Sequence, residues 1–445
     1  MGEPRYTASE AGRLEKNRDA LCSIVAGTAA PRRPEDRRTL GLELERIVID
    51  PISGARIAFD DVLGLSTLLE HWSRFFAADE RVVVDGRLFG YAGTVDVGCG
   101  RRVGITVSLE PGGQLEASVG PSESVVDLLG ALEAFDEQWV ALCDELGVEW
   151  QLMALGCDPL TADPREVQLI PKERYRLMDD YLSRTGRYAR DMMRLSASTQ
   201  VSIDCGDQDS VVEQFRLAVA LGPILSFLCD NVSSWRGLSP EDTPPMVRSR
   251  IWENVDGERC GVVPGTFEEG FSPESYVCWL LGVRPILFTD DRDLTIATCS
   301  ATEADILAMR DLSSGELAHM LSMVFPTVRL KGIIEMRDAD SMPPRLAAAL
   351  AAFIKGIFYN EAAFEQASLL LVKGRTDEEV VGAYGILRRH GWDAQIYGTP
   401  FTTLVQRLIQ LAENGLSDPD ERRIFHGLSS LWQSRLVPRD LYRQG

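Results

Sequence analysis

Apolar and polar residues alternate along several short stretches of the chain, and this period of two is typical of β-strands. The predicted strands are 39–50, several glycine-interrupted segments within 81–118, 149–155, 198–205 and 328–338. Other stretches space their apolar residues three and four positions apart, which indicates amphipathic helices. The predicted helices are 8–27, 60–76, 123–146 with Ser122 as the N-cap, 172–183, 209–230 and 314–324.

The chain changes character after Pro343, where strand patterns cease and helical spacing remains. The helices predicted there are 344–358, 360–371, 376–390, 402–413 and 419–434. Strands and helices that follow each other irregularly favour the α+β class with a mainly antiparallel sheet, because parallel sheets need a regular alternation. We expect an N-terminal helical segment (1–38), a central domain that carries the site (39–342) and a helical C-terminal region (343–445).

Charged and amide side chains lie on one face of several predicted strands, because residues two apart project to the same side. The residues concerned are Glu43 and Glu45; Gln114 and Glu116; Gln200, Ser202 and Asp204; and Arg329, Lys331, Glu335 and Arg337. An antiparallel sheet with one solvated face would show the same pattern. Several of these residues interrupt nearly continuous apolar sequence, however, and we therefore expect them to line a charged cavity.

The segment Ser108–Glu116 places Glu110 and Glu116 on either side of a Pro-Gly-Gly break between apolar residues. A carboxylate in such surroundings costs several kcal/mol unless a cation or hydrogen-bond donors meet it. The segment therefore points to a metal or substrate site.

The charge and the cysteine and histidine content of the chain limit which partners and metals it can bind. Lys and Arg number 46 against 67 Asp and Glu, so the net charge of −21 disfavours nucleic acid as a partner. The nine cysteines form no CxxC motif and the four histidines have no zinc-binding spacing, so reduced thiols are expected and zinc is not. Any metal would have oxygen ligands, which favours Mg²⁺ or Mn²⁺.

No run of apolar residues has the length of a membrane span or of a secretory signal, and a cytoplasmic protein without membrane contact is expected. Carboxylate-bound Mg²⁺ facing arginines is the equipment of phosphoryl transfer. The chain contains neither GxxxxGK[ST] nor a GxGxxG that opens a helix after a strand, so metals and side chains would have to hold the phosphates.

Several motifs in order resemble the glutamate-cysteine ligase (γ-glutamylcysteine synthetase) family, in its plant, proteobacterial and actinobacterial branch. The motifs are 41–45 (GLELE), 109–116 (LEPGGQLE), 171–175 (PKERY), 199–204 (TQVSID), 249–250 (SR) with Trp252, Asp256 and Arg259 downstream, and 325–340. The similarity extends from about residue 39 to about 360. It implies a glutamine-synthetase-like fold, in which a curved antiparallel sheet forms a funnel lined by glutamates. It also implies ATP, two or three Mg²⁺ ions and a γ-glutamyl phosphate, with γ-glutamylcysteine for glutathione biosynthesis as product.

The resemblance assigns roles to residues of this sequence. The implied metal ligands are Glu43, Glu45, Glu110, Glu116 and Glu335. The implied catalytic residues are Arg337 and Glu335, and the implied substrate-binding residues are Arg250, Gln200 and Gln114. The residues implied for nucleotide phosphate are Lys172 and Arg174. Arg329 and Lys331 are added to them from the strand pattern, because they would face anionic ligands beside the metal-bound acids.

The sequence also departs from the family pattern. Leu44 stands where histidine is common, Ala117 where leucine is usual, Ser202 where asparagine is usual and Asp338 where glycine is usual. An acceptor pocket can change shape while metal ligands stay in place, so two alternatives remain: a ligase that joins glutamate to a different amine, and a silent relative that only binds ligands.

Overall fold

The computed structural model describes residues 5–27, 37–205, 210–292 and 294–442. The strands are β1 Leu40–Ile49, β2 Arg81–Val84, β3 Arg87–Asp96, β4 Arg102–Leu109, β5 Leu115–Ser122, β6 Gln151–Met153, β7 Ser198–Asp204, β8 Cys260–Gly261, β9 Leu287–Thr289, β10 Thr295–Ala297, β11 Phe325–Pro326, β12 Val328–Leu330, β13 Ile333–Asp340, β14 Gln395–Ile396 and β15 Thr399–Pro400.

The helices are α1 Ala8–Val25, α2 Leu65–Trp72, α3 Val125–Leu146, α4 Glu173–Thr185, α5 Ala189–Arg194, α6 Ser210–Leu228, α7 Val247–Trp252, α8 Pro273–Gly282, α9 Glu303–Met309, α10 Ser314–Leu321, α11 Pro344–Phe358, α12 Glu361–Leu371, α13 Asp377–His390, α14 Phe401–Gly415 and α15 Pro419–Gln433. Residue 209, the predicted start of one helix, and parts of the predicted segment 1–38 lie outside the described residues.

A nine-stranded sheet organises these elements, and every described pair of neighbouring strands in it is antiparallel. The strand order is β12-β13-β7-β1-β5-β4-β3-β2, and β6 pairs with the end of β1. The alternation in β1 decides its two faces: Leu42 and Leu44 are fully buried, whereas Glu43 and Glu45 face the opposite side. Helices α3, α6 and α11 pack on the apolar side of the sheet. The predicted α+β class with an antiparallel sheet is confirmed.

The prediction of one strand over 328–338 is wrong, because β12 and β13 form a hairpin that turns at Lys331 and Gly332. Gly332 has a φ of +80°, a value that glycine adopts without strain and that suits a tight turn. Arg329 pairs directly with Glu335 across the hairpin. Residues opposite each other in a ladder project to the same face, so the charged residues still converge.

Three smaller expectations also need correction. Ser124, and not Ser122, caps α3 by accepting a hydrogen bond from the backbone N–H of Asp127. Helix α2 is shorter than the predicted 60–76. The C-terminal region, predicted without strands, contains the short ladder β14–β15. The division at residues 38 and 342 stays a prediction.

Helix α6 is long and apolar enough to be a candidate membrane span by length and composition. However, 83% of its most apolar window is buried inside the protein, as is usual for a core helix. Helices α11 and α12 reach that length only as a pair bent by 92°.

Candidate active site

A cavity of about 430 Å³ opens on the polar face of the sheet and collects the predicted acidic residues. We call it the acidic cavity. Its charged and amide wall residues are Glu43, Glu45, Glu110, Glu116, Glu335, Gln114, Gln200, Arg174, Arg248, Arg329, Lys331 and Arg337. All the site residues predicted from sequence line it except Lys172 and Arg250. The expected charged cavity is therefore present.

The register of the central strands brings the acids together. Glu45 on β1 lies opposite Glu116 on β5, and Glu43 lies opposite Gln200 on β7. Glu335 on β13 lies opposite Ser202 of β7. Because paired residues project to the same face, side chains from four adjacent strands share one wall.

The Pro-Gly-Gly break is the turn between β4 and β5. Gly113 has a φ of +75°, which a residue with a side chain adopts only with strain. Two backbone hydrogen bonds close the turn: Glu110 N–H donates to the Gln114 carbonyl at 2.9 Å, and Gly113 N–H donates to the Glu110 carbonyl at 2.8 Å. The turn therefore holds Glu110 beside the strand that carries Glu116.

Glu335 is the centre of a cation cluster. Its Oε1 accepts a hydrogen bond from Lys331, and its Oε2 lies 3.0 Å from Arg337 and 3.4 Å from Arg329. Burial pushes the pKa of Glu335 upward, but the three cations outweigh burial and hold that pKa far below its usual range. This carboxylate is ionised at all physiological pH values.

The other four carboxylates of the cavity have raised pKa values. Burial is the largest cause for each, and neighbouring acids add to it for three of them. The pKa rises to about 7 for Glu43, to about 7 for Glu110 and to about 8 for Glu116, and it also rises for Glu45. For these four carboxylates, unlike Glu335, burial outweighs the attraction of nearby cations.

Two of these four carboxylates are already hydrogen-bonded. Glu45 accepts the Ser198 backbone N–H at 2.7 Å, and Glu116 accepts the hydroxyls of Ser108 and Ser118 through its Oε1. Among the described residues, no hydrogen bond or ion pair is formed by the carboxylates of Glu43 and Glu110. Glu43 and Glu110 are the acids most available to a ligand.

Both predicted glutamines are nearly fully buried and have their amides engaged. The Gln114 amide donates to the Ser196 carbonyl at 2.8 Å and accepts the Gly112 N–H at 2.8 Å, so it ties the turn to the end of α5. Gln200 donates to Glu45 at 3.1 Å and accepts from Arg337 at 2.7 Å. Gln200 thus links the acids to the cation cluster.

The cavity wall does not include Lys172 or Arg250. The Lys172 ammonium lies over the rings of Phe89 and Tyr175, 4.7 and 5.3 Å from their centroids. The Arg250 guanidinium lies near Trp235 instead. Arg174 does reach the wall, where it donates to the Ser322 hydroxyl at 3.3 Å.

Sequence reasoning missed Arg248, which lines the cavity in place of Arg250 and is only 4% exposed. Its Nε is buried without a hydrogen-bond partner among the described residues. Two residues apart on a helix is about 200° of rotation, so only one of the two arginines of α7 can face the cavity. The local sequence does not decide which one.

The residue types of the cavity fit divalent cations. Within the described part of the chain, no three His, Cys, Asp or Glu side chains converge into a ready metal cage. Mg²⁺ rarely uses such a cage: it binds through one or two carboxylates and takes its other ligands from phosphates and water. The carboxylates of Glu43 and Glu110, which form no ion pair with a described residue, suit this mode of binding.

Divalent metal should stabilise the protein more at pH 8 than at pH 6. Each carboxyl with a raised pKa binds its proton more tightly in the folded protein than in the unfolded chain, and proton binding therefore stabilises the fold. This contribution to the free energy of unfolding is complete below the unfolded pKa of about 4.5. It is lost as the pH rises through about 7 to 8. Mg²⁺ binds the deprotonated form, and we expect it to raise Tm by about 2–5 °C more at pH 8 than at pH 6. Calorimetry with NaCl of equal ionic strength as control measures this, and equal shifts at both pH values would contradict it.

Comparison with known proteins places the chain among ligases. The family model "Glutamate-cysteine ligase family 2 (GCS2)" matches residues 39–381. The chloroplastic glutamate–cysteine ligase of Medicago truncatula is 33% identical over 268 residues, which are 59% of this chain and 52% of that protein. Glutamate–cysteine ligase B of Oryza sativa subsp. japonica, also chloroplastic, is 30% identical over 413 residues, 89% of this chain and 77% of that protein. The chain thus spans about half of the first relative and three quarters of the second.

Among solved structures, a bifunctional glutathione synthetase from Pasteurella multocida matches 97% of this chain and 50% of that chain. The TM-score is 0.45 and the identity 11%, a likeness too distant to add to the family match.

The prediction of a cytoplasmic location is contradicted, because these plant relatives are named as chloroplastic. The prediction relied on the lack of a long apolar run. The lack of a long apolar run does not identify the compartment in which a protein works.

Proposed function

We propose that this chain, which belongs to glutamate-cysteine ligase family 2, uses ATP to join the γ-carboxylate of L-glutamate to the amine of L-cysteine. The products are γ-glutamylcysteine, ADP and phosphate. Membership confirms the resemblance found in the sequence and the predicted enzyme class, a ligase. The names of the relatives support the choice of glutamate and cysteine as substrates.

Ligation of this kind uses ATP and a divalent metal, and the acids of the cavity are the residues that would hold the metal. We assign two or three Mg²⁺ ions to the wall formed by Glu43, Glu45, Glu110 and Glu116. Glu43 and Glu110 are the first candidates because their carboxylates have no partner among the described residues. Bound metal neutralises the phosphates and the acids together.

The reaction proceeds in two displacements. A γ-carboxylate oxygen of glutamate attacks the γ-phosphorus of ATP, so that a bond to phosphorus forms and the bond to ADP breaks. The cysteine nitrogen then attacks the acyl carbon, a carbon–nitrogen bond forms and phosphate leaves. The ammonium loses two protons in becoming an amide nitrogen.

We assign phosphate binding to the cation cluster around Glu335. Arg329, Lys331 and Arg337 converge on the single carboxylate of Glu335, which fixes their positions before any substrate binds. Fixed cations stabilise a transferring phosphoryl group without reorganising during the reaction. We assign Arg337 to that group, and Arg329, Lys331 and Arg174 to the nucleotide phosphates.

One observation carries the proposal: four buried carboxylates that form no ion pair with a described residue face a fixed cation cluster within one cavity. The test incubates the protein with ATP, Mg²⁺, glutamate and cysteine and measures γ-glutamylcysteine and ADP by mass spectrometry, with each component omitted in turn. We expect equal amounts of both products, and only in the complete mixture.

The same assay separates the alternatives. If phosphate release requires glutamate but is faster with another amine than with cysteine, that amine is the acceptor and cysteine is not. ATP binding by calorimetry without product from any amine in a broad panel would overturn the ligase assignment.

A further inference from the structure

A second cavity, of about 400 Å³, adjoins the acidic cavity. The two cavities share four wall residues, Arg248, Trp252, Phe325 and Arg337. Arg337, the residue assigned to the phosphoryl group, therefore borders both cavities. The two cavities are suited to hold two substrates on either side of one reaction centre.

Helix α13 forms one wall of the second cavity. This helix presents Gly382 and Gly385, one turn apart, to the cavity. Glycine destabilises a helix interior relative to alanine, so two of them on one face call for a reason. A Cβ added at Gly382 would meet no atom within 4 Å, whereas a Cβ added at Gly385 would lie 3.3 Å from the Arg389 guanidinium, so the missing side chain at Gly385 leaves room for Arg389.

Two of the polar side chains on this side of the cavity, Arg388 and Tyr384, already have partners. Arg388 is paired with Glu253 at 2.7 Å, and the Tyr384 hydroxyl donates to Asp338 at 2.8 Å. Arg389 lines the same wall, is exposed, and forms no hydrogen bond or ion pair with any described residue. Its guanidinium is available to an anion.

The remaining surface is mainly apolar. Trp252, Phe325 and Pro326 form a large part of it. A dicarboxylate such as glutamate is better matched to the polar, metal-binding cavity than to this one. The second cavity suits a ligand with one carboxylate and a compact, uncharged side chain.

We propose that the second cavity binds the amine acceptor, an α-amino acid with a neutral side chain, and that Arg389 of the C-terminal region binds its carboxylate. The inference rests on the proposed ligase function and adds the acceptor site to it. Arg389 is then a specificity-determining residue: it favours amino acids over amines that lack a carboxylate.

The test compares cysteine with cysteamine, its decarboxylated analogue, in the wild-type protein and in Arg389→Gln. A charge-assisted hydrogen bond to a carboxylate accounts for about 10- to 100-fold in binding. We expect kcat/KM for cysteine to fall by about that factor through a higher KM. The values for cysteamine, and the KM values for glutamate and ATP, should stay unchanged.

Two variants control the experiment. Arg389→Lys keeps the charge and should restore part of the preference for cysteine. Arg423→Gln removes an exposed arginine of α15 that pairs with Asp420 at 2.7 Å, and this variant should change none of these kinetic values.

Equal losses for cysteine and cysteamine, or a raised KM for glutamate, would overturn the acceptor assignment. So would an unchanged KM for cysteine. These outcomes differ from a failure of the ligase function itself, in which the wild-type protein forms no product with any amine.

Discussion

Glu335→Gln is expected to lower kcat by about 10²- to 10³-fold, because one buried carboxylate holds three cations in place. Loss of one preorganised electrostatic group in an active site raises the activation barrier by about 2.7–4 kcal/mol, which corresponds to that range of rates. Glutamine preserves the shape of the side chain and removes its charge. Steady-state kinetics at saturating ATP and Mg²⁺ measures the effect, and a near-normal kcat would remove Glu335 from the catalytic machinery.

The dependence on Mg²⁺ distinguishes two roles for Glu335. If this carboxylate binds metal, the variant should need more Mg²⁺ for half-maximal rate. In the structure both of its oxygens already contact cations, which favours a role in holding Arg329 and Arg337. A reduced kcat with an unchanged Mg²⁺ requirement would support that second role.

A matched control is Glu421→Gln. Glu421 is also 1% exposed, pairs with Lys355 at 2.6 Å and accepts the Val125 backbone N–H at 2.9 Å. It lies outside both cavities. We expect this variant to lose stability by a comparable amount while kcat stays within about twofold of the wild-type value. The pair of variants separates loss of the fold from loss of catalysis.

The strand pattern was sufficient to predict much of the site. Alternation alone puts Glu43 and Glu45 on one face of β1, because a period of two leaves no other choice. The turn at Gly332, which the sequence pattern did not predict, leaves the predicted polar face intact, because Arg329 and Glu335 lie opposite each other across the hairpin. A strand and a hairpin of the same residues can present the same polar face.

What the sequence could not provide are relations between distant elements. That Glu45 lies opposite Glu116 depends on the register between β1 and β5, which tertiary packing decides. The choice between Arg248 and Arg250 depends on how a six-residue helix is rotated against its neighbours. The approach of Arg389 to the wall that contains Arg337 joins the helical C-terminal region to the site, and no local pattern signals it.

The largest effect is expected for Arg337→Gln, with kcat lowered by about 10³-fold or more. Arginines that stabilise a transferring phosphoryl group account for about 10³- to 10⁵-fold in rate. Arg337 lines both cavities, donates to Glu335 at 3.0 Å and to Gln200 at 2.7 Å, and lies near the Trp252 ring. Burial lowers its pKa, but the charge of Glu335 outweighs burial, so the pKa lies above its usual range and the cation is permanent.

Arg337→Lys separates charge from geometry. Both hydrogen bonds to Glu335 and Gln200 come from one nitrogen of Arg337, Nη1, so lysine can keep the charge but lacks the second terminal nitrogen, which is left for the phosphoryl group. We expect it to recover part of the lost rate, and calorimetry should show ATP binding in both variants with a Kd within about tenfold of the wild-type value. Arg439→Gln is the matched control, since Arg439 is 4% exposed and pairs with Asp230 at 3.0 Å away from the acidic cavity. If Arg337→Gln slowed turnover no more than Arg439→Gln, Arg337 would have a structural role. The phosphoryl group would then have to be stabilised by Arg329, Lys331 and the metal ions.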